Sequence, residues 1–228
     1  MKTPILALAA LLTATAGHAK TVCGTIGPHS DYRVATETNL RVVEERHFNE
    51  DVELGIKGIT TTAGGDAEYT LRKFPNHTRA LNTMLRLAQR SSSGLIPGAS
   101  LPAECYFERA VRAFPDDSAA WLLYARHQYM LGREAQALSM LQKAFELSPE
   151  DAAINYNLGL IYAKQKKYAQ ALPYAQKAYA LKFPLPGLKQ MLVNAGQWVE
   201  PPPLPAPAEE AAPAADAAPV DAAPPGKP

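Results

Sequence analysis

The chain has 228 residues, 47% of them hydrophobic, with 23 Lys and Arg against 22 Asp and Glu. A formal charge of +1 leaves no surplus for bulk nucleic-acid binding. The two cysteines, Cys23 and Cys105, lie far apart, and neither has a partner at CxxC or metal-ligand spacing, which excludes a zinc ribbon and a thioredoxin-type redox pair.

Lys2 precedes an apolar run, Ile5 to Leu12, and then small residues. Ala14-Thr15-Ala16 and Gly17-His18-Ala19 both fit a cleavage pattern. Residues 1–19 therefore read as a short, Ala-rich bacterial secretory signal, cut after Ala16 or Ala19, and the protein as periplasmic or secreted. No stretch, this one included, is long and apolar enough to span a bilayer as a helix. Val22 stands before Cys23 where a lipoprotein signal needs a small residue. In an oxidising compartment Cys23 and Cys105 are expected to pair. The long loop closed between them would stabilise the fold by roughly 4–5 kcal/mol in the chain-entropy model. Two buried thiols, or a bridge between molecules, are the alternatives.

Residues 20–65 fit no repeat and read as an irregular N-terminal arm. The stretch 23–33 is turn-rich, Leu40 to Ile56 carries short helical patterns with Asn49 as a helix cap, and Thr60 to Gly65 reads as loop. The arm is expected to pack along the first helices downstream. Its His29, Asp31 and His47, with Glu44 and Glu45 near by, are the only grouping from which an enzyme site could be built. Isolated histidines are more often hydrogen-bonded structural residues, and no nucleophile, phosphate-loop or metal-protease motif occurs. Neither a cofactor nor a metal is expected. Asn76-His77-Thr78 has the form of a glycosylation triplet, read as a chance match beside a helix start.

From residue 66 onward the pattern becomes helical. Asp66 to Lys73, Asn76 to Arg90 and Pro102 to Ala113 carry apolar residues at three- and four-residue spacing. SSSGLIPGAS (91–100) separates the last two as a long turn. Then two segments of equal length repeat back to back, 118–151 and 152–185. AQAL recurs at 135–138 and 169–172, and QKA at 142–144 and 176–178. Small residues, Ala125 or Gly159 against Ala137 or Ala171, stand where paired helices would cross, and Gly132 suits the turn between them. Phe114-Pro115 lies one such interval before Pro149, and Phe74-Pro75 repeats that ending.

This pattern resembles the tetratricopeptide repeat, W-x2-L-G-x2-Y followed by A-x3-F, A and P. Trp121, Tyr124, Ala125, Tyr129, Gly132, Ala137, Leu141, Ala144 and Pro149 carry the resemblance in the first repeat. Leu158, Gly159, Tyr162, Ala163, Ala171, Ala175 and Ala178 carry it in the second. Asn155, Lys166 and Phe183 depart from the pattern, and Pro173 threatens to bend a helix. The resemblance implies an all-α solenoid. It would hold two clear repeats, one to one-and-a-half degenerate repeats upstream, and a capping helix over Pro186 to Asn194, stopped by Gly196.

It also implies a concave groove lined by the first helix of each hairpin. The corresponding positions include Leu122, Arg126, Tyr129 and Met130, then Tyr156, Asn157, Leu160 and Lys164. The full carboxylate-clamping set of the family is absent. Charge adds a clue. From Ala152 to Val199 there is no Asp or Glu, while Lys164, Lys166, Lys167, Lys177, Lys182 and Lys189 all fall there. A solvated lysine face is the plain reading, and a surface selecting an acidic protein or peptide is the sharper one, with Lys164 and Lys167 as contacts. The expectation is a non-catalytic adaptor of the bacterial envelope. It carries a repeat domain over 66–198, and its groove is open or else filled by the arm against Leu122 and Met130. An envelope spacer is the alternative. Residues 199–228 read as a disordered tail, with ten Pro and ten Ala over 201–228, weakly acidic and able to fold back on the lysines.

Overall fold

The structure is a computed structural model that describes residues 23–91 and 95–200. The expected signal and nearly all of the Pro/Ala tail lie outside the described residues. Those from Cys23 to Trp198 belong to one compact unit, and Val199 and Glu200 fall outside it. After a 3-10 turn at Tyr32–Val34 come ten helices, and no strand occurs among the described residues. They are α1 (Glu37–His47), α2 (Glu50–Glu53), α3 (Ala63–Lys73), α4 (Thr78–Arg90) and α5 (Ala103–Ala113), followed by α6 (Ser118–Met130), α7 (Glu134–Leu147), α8 (Ala152–Lys164), α9 (Tyr168–Ala180) and α10 (Gly187–Asn194).

The hairpins α6/α7 and α8/α9 have the closest mutual packing, α5 packs on both α4 and α6, and α10 covers α8 and α9. Small residues make this approach possible. Ala125, Ala137, Ala163, Ala171 and Ala175 are buried where the helices meet. A Cβ on Gly159 would stand 3.2 Å from the Ala171 carbonyl oxygen and 2.7 Å from the Leu188 side chain, so the α8/α9/α10 contact requires glycine there. One apolar cluster, around Phe107, Leu81 and Met84, joins α3 to α6 with Phe48 and Val52 of the arm. A second, around Leu141, Ile154 and Leu158, joins α7 to α10.

Departures from the repeat pattern keep its chemistry. Trp121 Nε1 donates to the Pro115 carbonyl at 2.8 Å, and Asn155 Nδ2, at the equivalent position of the next repeat, donates to the Pro149 carbonyl at the same distance. The two carbonyls are equivalent, so the amide replaces the indole as donor. Gly132 ends α6 at φ 73°, and Lys166 ends α8 at φ 59°. Both turns close alike: Arg133 N–H donates to Gln128 O at 3.0 Å and Lys167 N–H to Tyr162 O at 2.9 Å. The left-handed turn is thus kept without glycine, at the strain cost of a side chain at positive φ. Pro173 does not break α9. It cannot donate to the Ala169 carbonyl, but Ala169 is exposed and water can take that place.

Helix α3 begins at Ala63, inside the stretch expected to be loop. Thr62 caps it by accepting from Gly65 N–H at 3.1 Å. Glycine is needed here for contact, because a Cβ on Gly64 would strike Ile96 and the Pro97 carbonyl in the segment that precedes α5. The arm packs as expected, α1 on α3 and α2 on α3 and α4. Asn49 caps α2, accepting from Val52 N–H at 3.0 Å. Cys23 and Cys105 form a disulfide that ties the first described segment to α5.

Candidate functional site

Helices α4, α6 and α8 line one inner face, and each starts on a side-chain cap. His77 accepts from Ala80 N–H, Asp117 from Ala119 and Ala120 N–H, and Asp151 from Ile154 N–H. These caps fix where each helix begins and which stripe it turns inward. Between the inner helices lies a cavity of about 220 Å³. Leu85 and Gln89 of α4 border it, with Ala125, Arg126, Tyr129 and Met130 of α6, Leu141 of α7, and Asn157, Leu160 and Ile161 of α8. Its floor is apolar and its polar groups are few, as in a site that anchors an apolar side chain and orients the rest.

Five of the expected contacts therefore border one cavity: Arg126, Tyr129, Met130, Asn157 and Leu160. Lys164 stands beside it, with Nζ 5.0 Å from the centre of the Tyr129 ring. The three remaining expected contacts lie away from it. Tyr156 is buried and stacks on Phe183 at 4.4 Å, because a position next to Asn157 on a helix turns about 100° away from the inner stripe. Leu122 lies one turn before Arg126 and packs into the second apolar cluster. Lys167 is exposed at the start of α9, past the end of the inner helix. No described residue of the arm borders the cavity, so that part of the arm does not fill it. Leu85 and Gln89 were not anticipated. The repeat period does not reach α4, but its apolar stripe marks the same inner face.

The inner helices have one electrostatic property in common. None of α4, α6 or α8 contains an Asp or Glu, while they carry Arg79, Arg86, Arg90, Arg126 and Lys164. Arg79 is engaged by Glu44 and Glu53 of the arm, and Arg90 by the carbonyls of Leu54 and Gly55. Arg126 has no carboxylate partner among the described residues. It donates to Asn82 Oδ1 at 3.2 Å, and the surrounding protein desolvates it, which lowers its pKa. Asn157 donates to the Ala153 carbonyl at 2.7 Å, leaving its carbonyl oxygen as an acceptor in the groove.

The arm residues considered for catalysis go to separate structural partners. His29 packs against Phe114. Asp31 pairs with Arg33 and accepts from Asn76 at 2.7 Å. Asn76 is fully buried, donating also to Asp117 at 2.7 Å, and so locks the arm to the start of α6. His77 accepts at Nδ1 from Ala80, so Nε2 carries the proton and donates to Glu44 at 3.0 Å; burial lowers its pKa. His47 pairs with buried Asp66 at 3.0 Å. No grouping of metal-ligating residues occurs among the described residues.

Asp66 offers a pH prediction. Burial alone would raise its pKa, but His47, the Thr60 hydroxyl and the N–H groups of Thr60 and Ile59 outweigh burial and hold it at about 2. The folded value lies below the unfolded value near 3.9. The stabilisation is therefore complete above about pH 4 and is lost as pH falls through about 2, a loss of about 2 kcal/mol. Urea titrations at the two pH values should show the wild-type chain losing that much more than Asp66→Asn. Equal losses would contradict the assignment.

The family model for the tetratricopeptide repeat matches residues 103–139 and 135–182. A curated relative, the BBSome complex member BBS4 of Xenopus tropicalis, is 31% identical over 86 residues, covering 38% of this chain and 17% of its own length. Among solved structures, the MamA protein aligns with a TM-score of 0.46 at 18% identity, over 70% of this chain and 82% of its own. Paired helices, the internal period and the family match agree that residues 103–182 are similar to tetratricopeptide repeats.

Proposed function

We propose that the protein is a non-catalytic adaptor that holds an extended, acidic segment of a partner protein in the groove between α4, α6 and α8. Tetratricopeptide repeats are protein–protein interaction scaffolds, and the groove of this one offers a cavity, unspent donors and a net charge. The absence of any carboxylate from all three inner helices, with Arg126 and Lys164 unneutralised beside the cavity, carries the reading. In a concave site such charges focus the field and speed capture of an oppositely charged segment. An apolar side chain of that segment would enter the space between Leu85, Met130 and Leu160, and the Asn157 carbonyl would take a backbone N–H.

In this reading the protein works in the bacterial cell envelope. The secretory pattern of residues 1–19 and the Cys23–Cys105 bridge support that setting, because disulfides persist in oxidising compartments.

Selection of a random peptide library on the full chain tests the reading. Peptides enriched in Asp and Glu around one large apolar residue should emerge. Reversing Arg126 and Lys164 to Glu together should weaken them about 100-fold at low salt, each charge contributing about 1–2 kcal/mol, with helicity unchanged. Peptides without acidic bias, or binding indifferent to the double reversal, would defeat it.

A further inference from the structure

We propose that the N-terminal half carries a second site, apart from the groove, for a small polar ligand with two or more oxyanion charges. A cavity of about 590 Å³ lies between the first described segment of the arm and the outer helices α3 and α5. That is the size of a small-molecule site, and its lining is mostly polar. The arm forms one wall and is held there at three points. The disulfide joins Cys23 to α5, Arg112 donates to the Gly24 carbonyl at 2.7 Å, and Arg109 donates to the Thr25 carbonyl at 3.2 Å.

Charge in this cavity is one-sided. Arg72, Lys73 and Arg109 face it against a single carboxylate, Glu68. Glu68 is buried and already satisfied, accepting from the Ser100 N–H at 2.7 Å and from the Ser100 hydroxyl. It keeps its charge, but its oxygens are taken up by Ser100, and one carboxylate still leaves the three cations in surplus. The Arg72 guanidinium makes no hydrogen bond or ion pair with any described residue. The Lys73 ammonium meets only the Tyr69 ring among the described residues, at 5.9 Å. Arg109 spends one N–H on Thr25 and keeps the rest of its fork. The carboxylate beyond Tyr69, Asp66, is closed off by His47, Thr60 and two backbone N–H groups.

Tyr69 completes the site. It is 39% exposed, and His47 stacks on one side of it at 3.7 Å, so the ring is braced beside Arg72 and Lys73. Guanidinium and ammonium groups around a polar hollow recognise phosphate and carboxylate oxygens, the former by paired N–H donors. The shared chemistry is a compact polyanion, and its source is either a phosphate ester or a polycarboxylate.

Calorimetric titration of the full chain with pyrophosphate and with citrate, at constant ionic strength, separates these. Saturable one-to-one binding of either is expected, tighter than about 1 mM. Pyrophosphate alone would name the phosphate source and citrate alone the carboxylate source. Arg72→Ala with Lys73→Ala should weaken binding about tenfold or more, and both side chains are exposed, so circular dichroism should not change. Arg126→Glu, in the groove, should leave it unchanged, which makes the result independent of the peptide-binding reading. Cys23→Ser with Cys105→Ser should weaken it too, by freeing the wall. No saturable binding of either probe, or affinity that survives loss of Arg72 and Lys73, would overturn the proposal.

Discussion

Replacing Cys23 and Cys105 together by serine is expected to lower the unfolding free energy by about 4 kcal/mol, with a fall in Tm of about 10 °C. The bridged cysteines have a sequence separation of 82, so the cross-link removes much freedom from the unfolded chain. A domain of this size has about 5–15 kcal/mol in all, so the loss is a large share. The effect should be uneven along the chain. Without the bridge, the segment from Gly24 to Ser30 is held by Arg112, Arg109 and the bond from Ser30 N–H to the Lys73 carbonyl at 2.9 Å. These are exposed contacts and open locally at low cost. From Asp31 on, buried Asn76 keeps the arm attached to α6. Limited proteolysis should therefore cut first near Gly24 to Ser30, while α6 to α10 stay protected. A loss below about 1 kcal/mol, or first cleavage within α6 to α10, would show that the bridge does not govern the arm.

The ease of reading each region from sequence follows from its physics. Helices α6 to α9 were plain because stacked hairpins meet at the same small residues in every repeat, which imprints the period on the chain. Asn155 and Lys166 depart from the repeat pattern in sequence without removing its period. They proved to preserve one donor and one turn, and such equivalence of unlike residues is visible only in geometry. The start of α3 was hidden for a different reason. Ala63-Gly64-Gly65 reads as a breaker, yet its glycines sit in a helix because Ile96 and Pro97, far downstream in the chain, press on Gly64. In the groove, the family resemblance implied Arg126, Tyr129, Met130, Asn157 and Leu160, and these five border the cavity. The resemblance misplaced Tyr156, since Phe183 draws that ring to the core. It missed Leu85 and Gln89 because the repeat period stops short of α4. The acid-free character of all three inner helices was legible in principle, helix by helix, once their ends were known.

Substituting Gly159 by valine should cost about 3 kcal/mol or more, the largest single-residue effect expected in the repeats. Two forces act on any side chain there. In a helix interior, glycine is worse than alanine by about 1 kcal/mol, so a side chain would help if there were room. There is none. The Cβ would meet the Ala171 carbonyl oxygen at 3.2 Å and the Ala175 nitrogen at 3.3 Å, both backbone atoms of α9 that cannot rotate aside. It would also meet Leu188 Cδ2 at 2.7 Å, the mobile end of a side chain that is nevertheless fully buried. Gly159→Ala should therefore already cost stability, its helix gain outweighed by the contacts with the α9 backbone and buried Leu188, though less than valine. Valine adds two methyl groups and must push α8 away from α9. A double-mutant cycle with Leu188→Ala should show less than additive loss, because trimming Leu188 relieves one of the three contacts. The consequence reaches the groove, since Gly159 and Leu160 are neighbours on α8. A helix displaced from α9 moves Asn157, Leu160 and Lys164 together toward Tyr129, closing the space meant for a partner's apolar side chain. Chemical denaturation, followed by binding of a selected acidic peptide to the variant that still folds, measures both effects. A valine variant as stable as the wild type would mean that α8 and α9 do not approach as closely as the buried Ala171 and Ala175 require.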